Sequence, residues 1–296
     1  MNRKNLSKRA ELLHLSSVSL AEGMRNGTFR SLYRGTGVEF SGVREYLAGD
    51  DVRAIDWNVT ARMGKPFVKM FDEEKELDVF LVADKSFSMD TGSGIQSRLE
   101  TAMECASLIT LASLHNGSPV GAVTFDGRID FSCPPKSGKN NAMMMLSHFE
   151  KGASDFSSRI NGSALDSALS GACRLLKKRT LVIVISDFRV DGWQDSFARL
   201  AHHNDVVAIR ITDSADEKLP QVGSVPFIDP ETGAACILPT SSAKFARAWQ
   251  ENYEAKTEEW KKNCLRHGAV PLSISTTKDP AGELIKFFTA RERYWI

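Results

Sequence analysis

The chain has 296 residues, five cysteines and a formal net charge of +1. That length allows one large α/β domain, or a domain with a substantial appendage. So even a charge balance offers no global attraction to nucleic acid or to an anionic membrane surface, and the longest apolar runs, such as 181–185, fall far short of the roughly 20 residues that span a bilayer.

The N-terminus is charged but is not followed by the apolar stretch of a signal peptide, so a soluble, cytoplasmic protein is expected, without direct membrane insertion. Residues 5–27 read as a helix with Leu6, Leu12, Leu13, Leu15 and Leu20 on one side, interrupted by Gly23 and Gly27. From Arg30 to Glu76 short apolar pieces alternate with glycine- and charge-rich stretches, and residues 66–71 alternate as a strand does. Residues 1–76 are therefore expected to form an N-terminal helix and a small, irregular β-rich segment packed on a main domain.

From Leu77 the texture changes. Residues 77–83 are almost unbroken apolar chain, as a strand buried on both faces requires. Helical spacing follows over 98–115, then a strand at 119–125 turned by Asp126-Gly127 into a short strand at 129–132. Helices are predicted at 140–149, 162–176 and 195–202, and strands at 180–186 and 206–211. Turn residues between apolar pieces mark a hairpin insertion near 225–238. A long amphipathic helix over 241–267 carries Phe245, Trp249, Tyr253 and Trp260, a stripe expected to be core. A strand at 269–275 and a helix at 280–290 close the chain. Residues 77–296 are thus expected to be an α/β domain with a mostly parallel sheet and helices on both faces.

Cys105, Cys133, Cys173, Cys236 and Cys264 are odd in number and have no metal-binding spacing, so reduced thiols in a reducing compartment are expected.

The chemical signal begins with Asp84-Lys85-Ser86-Phe87-Ser88, placed directly after a buried strand, where open parallel sheets take their ligands. Asp84, Ser86 and Ser88 alternate, so an extended loop would let their oxygens converge. Alone, this pentad also describes a capped turn. Asp187 ends another central strand on the same edge, and Ser163 opens a helical segment where a hydroxyl could cap the helix or reach a cation. One such oxygen-only set suits Mg²⁺, with Mn²⁺ or Ca²⁺ as alternatives.

Asp84, Ser86, Ser88, then Ser163, then Asp187 resemble the metal-ion-dependent adhesion site of von Willebrand factor A domains. That family has Asp-x-Ser-x-Ser, a Thr and an Asp, so Ser163 stands where Thr is commoner, and Asn161 or Ser158 could substitute for it. The resemblance implies a von Willebrand factor A-like (Rossmann-like) fold and a cation that engages a partner's acidic side chain without covalent chemistry.

Ahead of that domain, Arg34-Gly-Thr-Gly-Val-Glu39-Phe, Arg44-Glu-Tyr, Gly49-Asp50-Asp51-Val-Arg53-Ala-Ile-Asp56-Trp57 and Thr60-Ala-Arg62 resemble the bacterial and archaeal family catalogued as domain of unknown function 58. Glu73, Glu74 and Glu76 follow as in that family, and the resemblance covers roughly residues 28–190. It implies a partner role beside AAA+ ATPases of the MoxR type, in maturing or remodelling client proteins. Gly35-Thr36-Gly37 lacks the later Gly-Lys-Ser/Thr of an ATP-binding loop, which makes these turn glycines. The charged residues of this segment read either as an ion-pair lattice or as a docking surface for the ATPase.

The function expected is a divalent-cation-dependent protein-interaction module, without catalytic residues and without nucleic acid as a partner. A hydrolase using the same cation to activate water is an alternative, although no general base stands near Asp84. A scaffold whose cation site has lapsed is another.

Overall fold

The computed structural model describes residues 16–24, 34–94, 96–150, 164–228 and 235–289. The chain divides into two units, residues 33–77 and the remainder.

In the smaller unit, β1 (Arg34–Glu45) pairs antiparallel with β2 (Phe67–Glu76), in a register running from Arg34 opposite Glu76 to Glu45 opposite Phe67. Between them lie a 3₁₀ turn (Val52–Ala54) and the short helix α2 (Trp57–Met63). Asp51 caps the first, its carboxylate accepting from the Arg53 amide. Asp56 caps the second by accepting from the amides of Asn58 and Val59, two of the donors a helix start leaves unpaired. Gly64, at φ 70°, ends α2 in the left-handed conformation that glycine adopts freely. The β-rich character expected here is present, whereas α2 with its Asp56…Gly64 punctuation was legible and not anticipated.

The larger unit is built on a six-stranded sheet. Its strands are β3 (Val79–Asp84), β4 (Val120–Phe125), β5 (Ile129–Lys136), β6 (Leu181–Ser186), β7 (Asp205–Thr212) and β10 (Val270–Ser275). Their order is β10-β7-β6-β3-β4-β5, every neighbouring pair parallel except β4 with β5. Strands β3, β4, β6 and β7 are buried at every position, which is why they appear in the sequence as apolar runs without alternation. The outer strands carry prolines: Pro134 and Pro135 on β5, Pro271 on β10.

Helices cover both faces of this sheet. Phe80, Val82, Val182, Val184, Val206 and Ala208 share a core with α5 (Leu165–Leu175), α6 (Gln194–His203) and the Trp260–Cys264 end of α8 (Ala243–Arg266). The alternate strand positions point to the other face, beneath α3 (Arg98–His115) and α9 (Pro280–Thr289). Helix α3 starts with a capping box, Ser97 and Glu100 each bonding the other's backbone amide. Helix α4 (Lys139–Phe149) packs on α3 and β4, and the short α7 (Ser214–Glu217) follows β7. The hairpin expected near 225–238 is β8 (Ser224–Ile228) with β9 (Ala235–Pro239).

Of the helix expected over 5–27, residues 16–24 are described, as helix α1. It belongs to the larger unit: Leu20, Ala21 and Met24 are buried, and the Asn116 side-chain amide donates to the Ala21 carbonyl at 2.9 Å. Among the described residues no helix is long and apolar enough to cross a membrane.

Candidate functional site

Parallel strands deliver their C-termini to one edge of the sheet. Ala83 lies opposite Ile185 in the β3–β6 register, so Asp84 and Asp187 leave adjacent strands side by side. Both carboxylates are buried, at 1% and 3% exposure, as are Ser86 and Ser88. The Ser86 amide donates to Asp84 Oδ1 at 2.8 Å, and the Ser186 hydroxyl donates to Oδ2 at 2.5 Å. The hydroxyls of Ser86 and Ser88 lie 3.2 Å apart. The sequence therefore located four residues that the fold does bring together. Ser163, with its alternatives Asn161 and Ser158, lies outside the described residues.

Two members were missed. Ser186 hides as the last residue of an apolar strand, yet its hydroxyl bridges the site: it donates to Asp84 and accepts from the Phe188 amide at 3.1 Å. Arg189 is the other. Its amide donates to Asp187 Oδ1 at 3.2 Å, and its guanidinium Nε stands 3.6 Å from Oδ2. Between Asp187 and Arg189, Phe188 holds φ at 52°, a conformation that a bulky side chain adopts only when its surroundings impose it. Those surroundings are aromatic: its ring lies 5.2 Å from that of Trp193 and 5.6 Å from that of Trp260.

Burial, reinforced by the neighbouring charge of Asp187, raises the Asp84 carboxyl to about 7, against the opposing hydrogen bonds from Ser186 and Ser86. A second carboxylate beside it in a buried setting disfavours the charged form of Asp84, the same direction as its burial.

This geometry corrects the expectation of a bound Mg²⁺, Mn²⁺ or Ca²⁺. Among the described residues no group of three or more His, Cys, Asp or Glu side chains is placed to hold a metal ion. The physical reason lies in the donors. Both oxygens of Asp84 and Oδ1 of Asp187 already accept protein hydrogens, and the positive charge beside Asp187 is an arginine. The motif shows the oxygens, but not the guanidinium of Arg189 beside them.

The surrounding loops are tied together by further ion pairs. Arg98, buried at the start of α3, donates to the Thr91 hydroxyl at 2.6 Å, the Thr91 carbonyl at 3.1 Å and Asp216 Oδ1 at 2.6 Å. Arg189 donates to the same Asp216 oxygen. Asp213 accepts from the Ser93 amide and hydroxyl, the Ala215 amide and the Thr276 hydroxyl. Burial alone would raise the Asp213 carboxyl, but these donors hold it down at about 2. Lys85 turns away from the pair, as its position in the alternation implies. It is 2% exposed, with Nζ 3.1 Å from Asp130 on β5.

Arg210 on β7 neighbours Ser186 in register. It runs beneath α8, its guanidinium 5.8 Å from the Tyr253 ring centre and 5.7 Å from that of Trp260, with Nη1 donating to the Thr257 hydroxyl at 3.2 Å. Desolvation lowers its pKa. The aromatic stripe of α8 thus divides its work: Trp260 is core, Tyr253 faces a buried cation, and half-buried Trp249 donates its indole N–H to the Asp216 carbonyl.

In the smaller unit the described charged side chains take separate local roles. Arg44 and Asp50 make a two-pronged pair, both contacts at 2.7 Å, which lowers the Asp50 pKa and raises that of Arg44. Asp51 and Asp56 serve as caps. Arg53 and Arg62 are exposed, and so is Trp57, at 68%. Arg34 and Glu39 lie on β1, where only the backbone is described.

All five cysteines are free; Cys105, Cys133 and Cys264 are buried, Cys173 is half-buried and Cys236 exposed. Burial pushes the Cys264 thiol up to about 12, and that of Cys105 higher still. Neither is a nucleophile in waiting.

A mostly parallel sheet flanked by helices, with two strand-terminal carboxylates at its carboxyl edge, defines a mixed α/β domain of the von Willebrand factor A or Rossmann-like kind. Residues 42–259 match the family described as "Protein of unknown function DUF58", and the chain belongs to that family. Uncharacterized proteins of Mycobacterium bovis and Mycobacterium tuberculosis are each 30% identical to it over 285 residues, covering 95% of this chain and 88% of theirs. Among solved structures, the conserved hypothetical protein BatB from Bacteroides thetaiotaomicron is 17% identical, covering 71% of this chain and 96% of its own, with a TM-score of 0.47. An aerotolerance-related membrane protein from Bacteroides fragilis is 18% identical, covering 72% and 96%, also with a TM-score of 0.47.

Proposed function

We propose that the chain is a cytoplasmic protein-interaction module that performs no covalent chemistry and meets its partner at the carboxyl edge of the six-stranded sheet. One observation carries this reading. The buried Asp84–Asp187 pair, with Asp84 raised to about 7, is a cost to folding concentrated at the edge where open α/β sheets take ligands. The left-handed Phe188 beside it adds strain at the same point. Asp84, Ser86 and Ser186 are bonded to one another and to backbone amides, while Asp187 Oδ2 is buried without a hydrogen-bond partner among the described residues and faces Arg189, which carries the site's charge toward the surface. As partner class we propose an AAA+ ATPase of the MoxR type or its client, on the strength of the motif between Arg34 and Arg62.

The test uses the purified full chain and a purified MoxR-type ATPase encoded in the same genome, with binding followed by interferometry. Arg189→Glu should weaken binding at least about tenfold, the scale of losing one charged contact, and Asp187→Asn should weaken it by removing the buried charge that Arg189 faces. Arg174→Glu, on the exposed side of α5, should leave it unchanged. Equal binding by all four proteins, or none by the wild type, would sink the proposal.

A further inference from the structure

At the opposite end of the sheet, where β6 and β7 begin, the structure holds a cleft of about 240 Å³. Its walls come from the end of α5, the link into β6 and the end of α6. Lys177, Lys178, Arg179, Arg199 and His203 line it, over a floor of Cys173 and Leu176; none of its eight lining residues is acidic.

Much of this charge has a local explanation. Arg179 is pinned by Asp205, with Nε and Nη2 each donating at 2.6 Å, and Lys178 stands 3.5 Å from Asp78. The C-terminal ends of α5 and α6 each carry roughly half a negative charge, which together offset about one more cation. Asn204 is committed to the Thr180 amide and the Leu200 carbonyl. Among the lining side chains this leaves a surplus of about one positive charge, supplied by Lys177 and Arg199, with the Asp166 carboxylate one hydroxyl beyond Arg199 and outside the lining. The hydrogen-bond partner of Arg199 is a neutral one, the Ser196 hydroxyl at 2.7 Å, which itself donates to Asp166. Arg179 gives Nε and Nη2 to Asp205, so its Nη1 takes no part in that pair. Arg199 also lies close enough to the Cys173 thiol to counter part of the rise that burial causes there.

We propose that this cleft is a binding site for a small phosphomonoester. Its phosphate sits between Arg199, Lys177 and Nη1 of Arg179, and its substituent lies over Leu176 and Cys173. Two guanidinium forks and an ammonium match the oxygens of a phosphate. The volume is below the roughly 300 Å³ at which drug-sized ligand sites begin, which restricts the substituent to a few heavy atoms. The site is separate from the carboxyl edge and does not rest on the function proposed above.

The cleft supplies its own reporter. Alkylation of the native chain by iodoacetamide is followed by mass spectrometry at Cys173, with exposed Cys236 as internal reference. Glycerol phosphate is compared with potassium chloride at matched ionic strength. Glycerol phosphate should slow labelling of Cys173 several-fold without affecting Cys236, and it should raise the thermal midpoint. In the double variant Lys177→Gln, Arg199→Gln, shown to be folded by its own melt, both effects should vanish. Equal Cys173 rates in the two salts with no thermal shift would overturn the proposal, as would full protection in the double variant.

Discussion

Replacing Asp84 by asparagine tests the buried pair directly. Against an ordinary carboxyl value of about 3.9, a value of about 7 means that ionising Asp84 withholds roughly 4 kcal/mol from the folded state. The sign follows from proton affinity. The folded chain holds this proton more tightly than the unfolded one, so the contribution favours folding below pH 4. It declines as the pH rises toward 7 and is flat above. In Asp84→Asn the amide oxygen still accepts from the Ser86 N–H, whereas the Ser186 hydroxyl loses its acceptor, at a cost of about 1 kcal/mol. The variant should therefore be about 2–3 kcal/mol more stable than wild type at pH 8 and about 1 kcal/mol less stable at pH 4. Urea unfolding at both pH values, read by tryptophan fluorescence, would show the two stability curves crossing. A variant weaker than wild type at both would mean that a matched cation compensates the Asp84 charge, and the account of this pair would fail.

Four other substitutions, at three positions, probe the fold. Phe188→Ala should destabilise by about 3 kcal/mol through loss of its contacts with Trp193 and Trp260. Phe188→Gly should be the milder of the two by about 1 kcal/mol, reversing the usual order because glycine tolerates φ 52°; parallel urea titrations decide. Arg98→Ala removes one of two arginines on Asp216 and three bonds into the β3–α3 loop, and should lower the urea midpoint by about 3 kcal/mol of stability with the slope unchanged. In Gly121→Ala the new methyl would meet Pro135 N at 2.6 Å and the Cys133 carbonyl at 2.7 Å. Because both obstacles are backbone, about 3 kcal/mol should be lost, measurable as a fall in thermal midpoint.

The residues explain why some of this was legible in the sequence and some was not. Strands β3 and β6 are buried on both faces, so composition alone marks them, and Asp84 and Asp187 stand where each apolar run stops. Their meeting then follows from parallel topology. Ser186 gives no such signal, because a serine ending an apolar strand looks the same whether or not its hydroxyl bridges two loops. Arg189 was readable as a charge beside Asp187. Its distance to that carboxylate, however, depends on the left-handed turn at Phe188, which local propensity argues against and two tryptophans impose. In the smaller unit Asp51 and Asp56 belong to a charged segment that reads either as an ion-pair lattice or as a docking surface. Their positions, each two residues before the amide it accepts from, marked them equally well as caps.

The prolines of the outer strands bear on how this molecule meets others. An unguarded sheet border is a template onto which another chain can add as a further strand. Pro134 and Pro135 on one border and Pro271 on the other lack amide hydrogens at three positions, so an added strand would find gaps in its ladder. Lateral growth into oligomers or fibres is thereby discouraged at both margins. The proposed recognition surface lies instead at the strand ends, where the loops carry the charge.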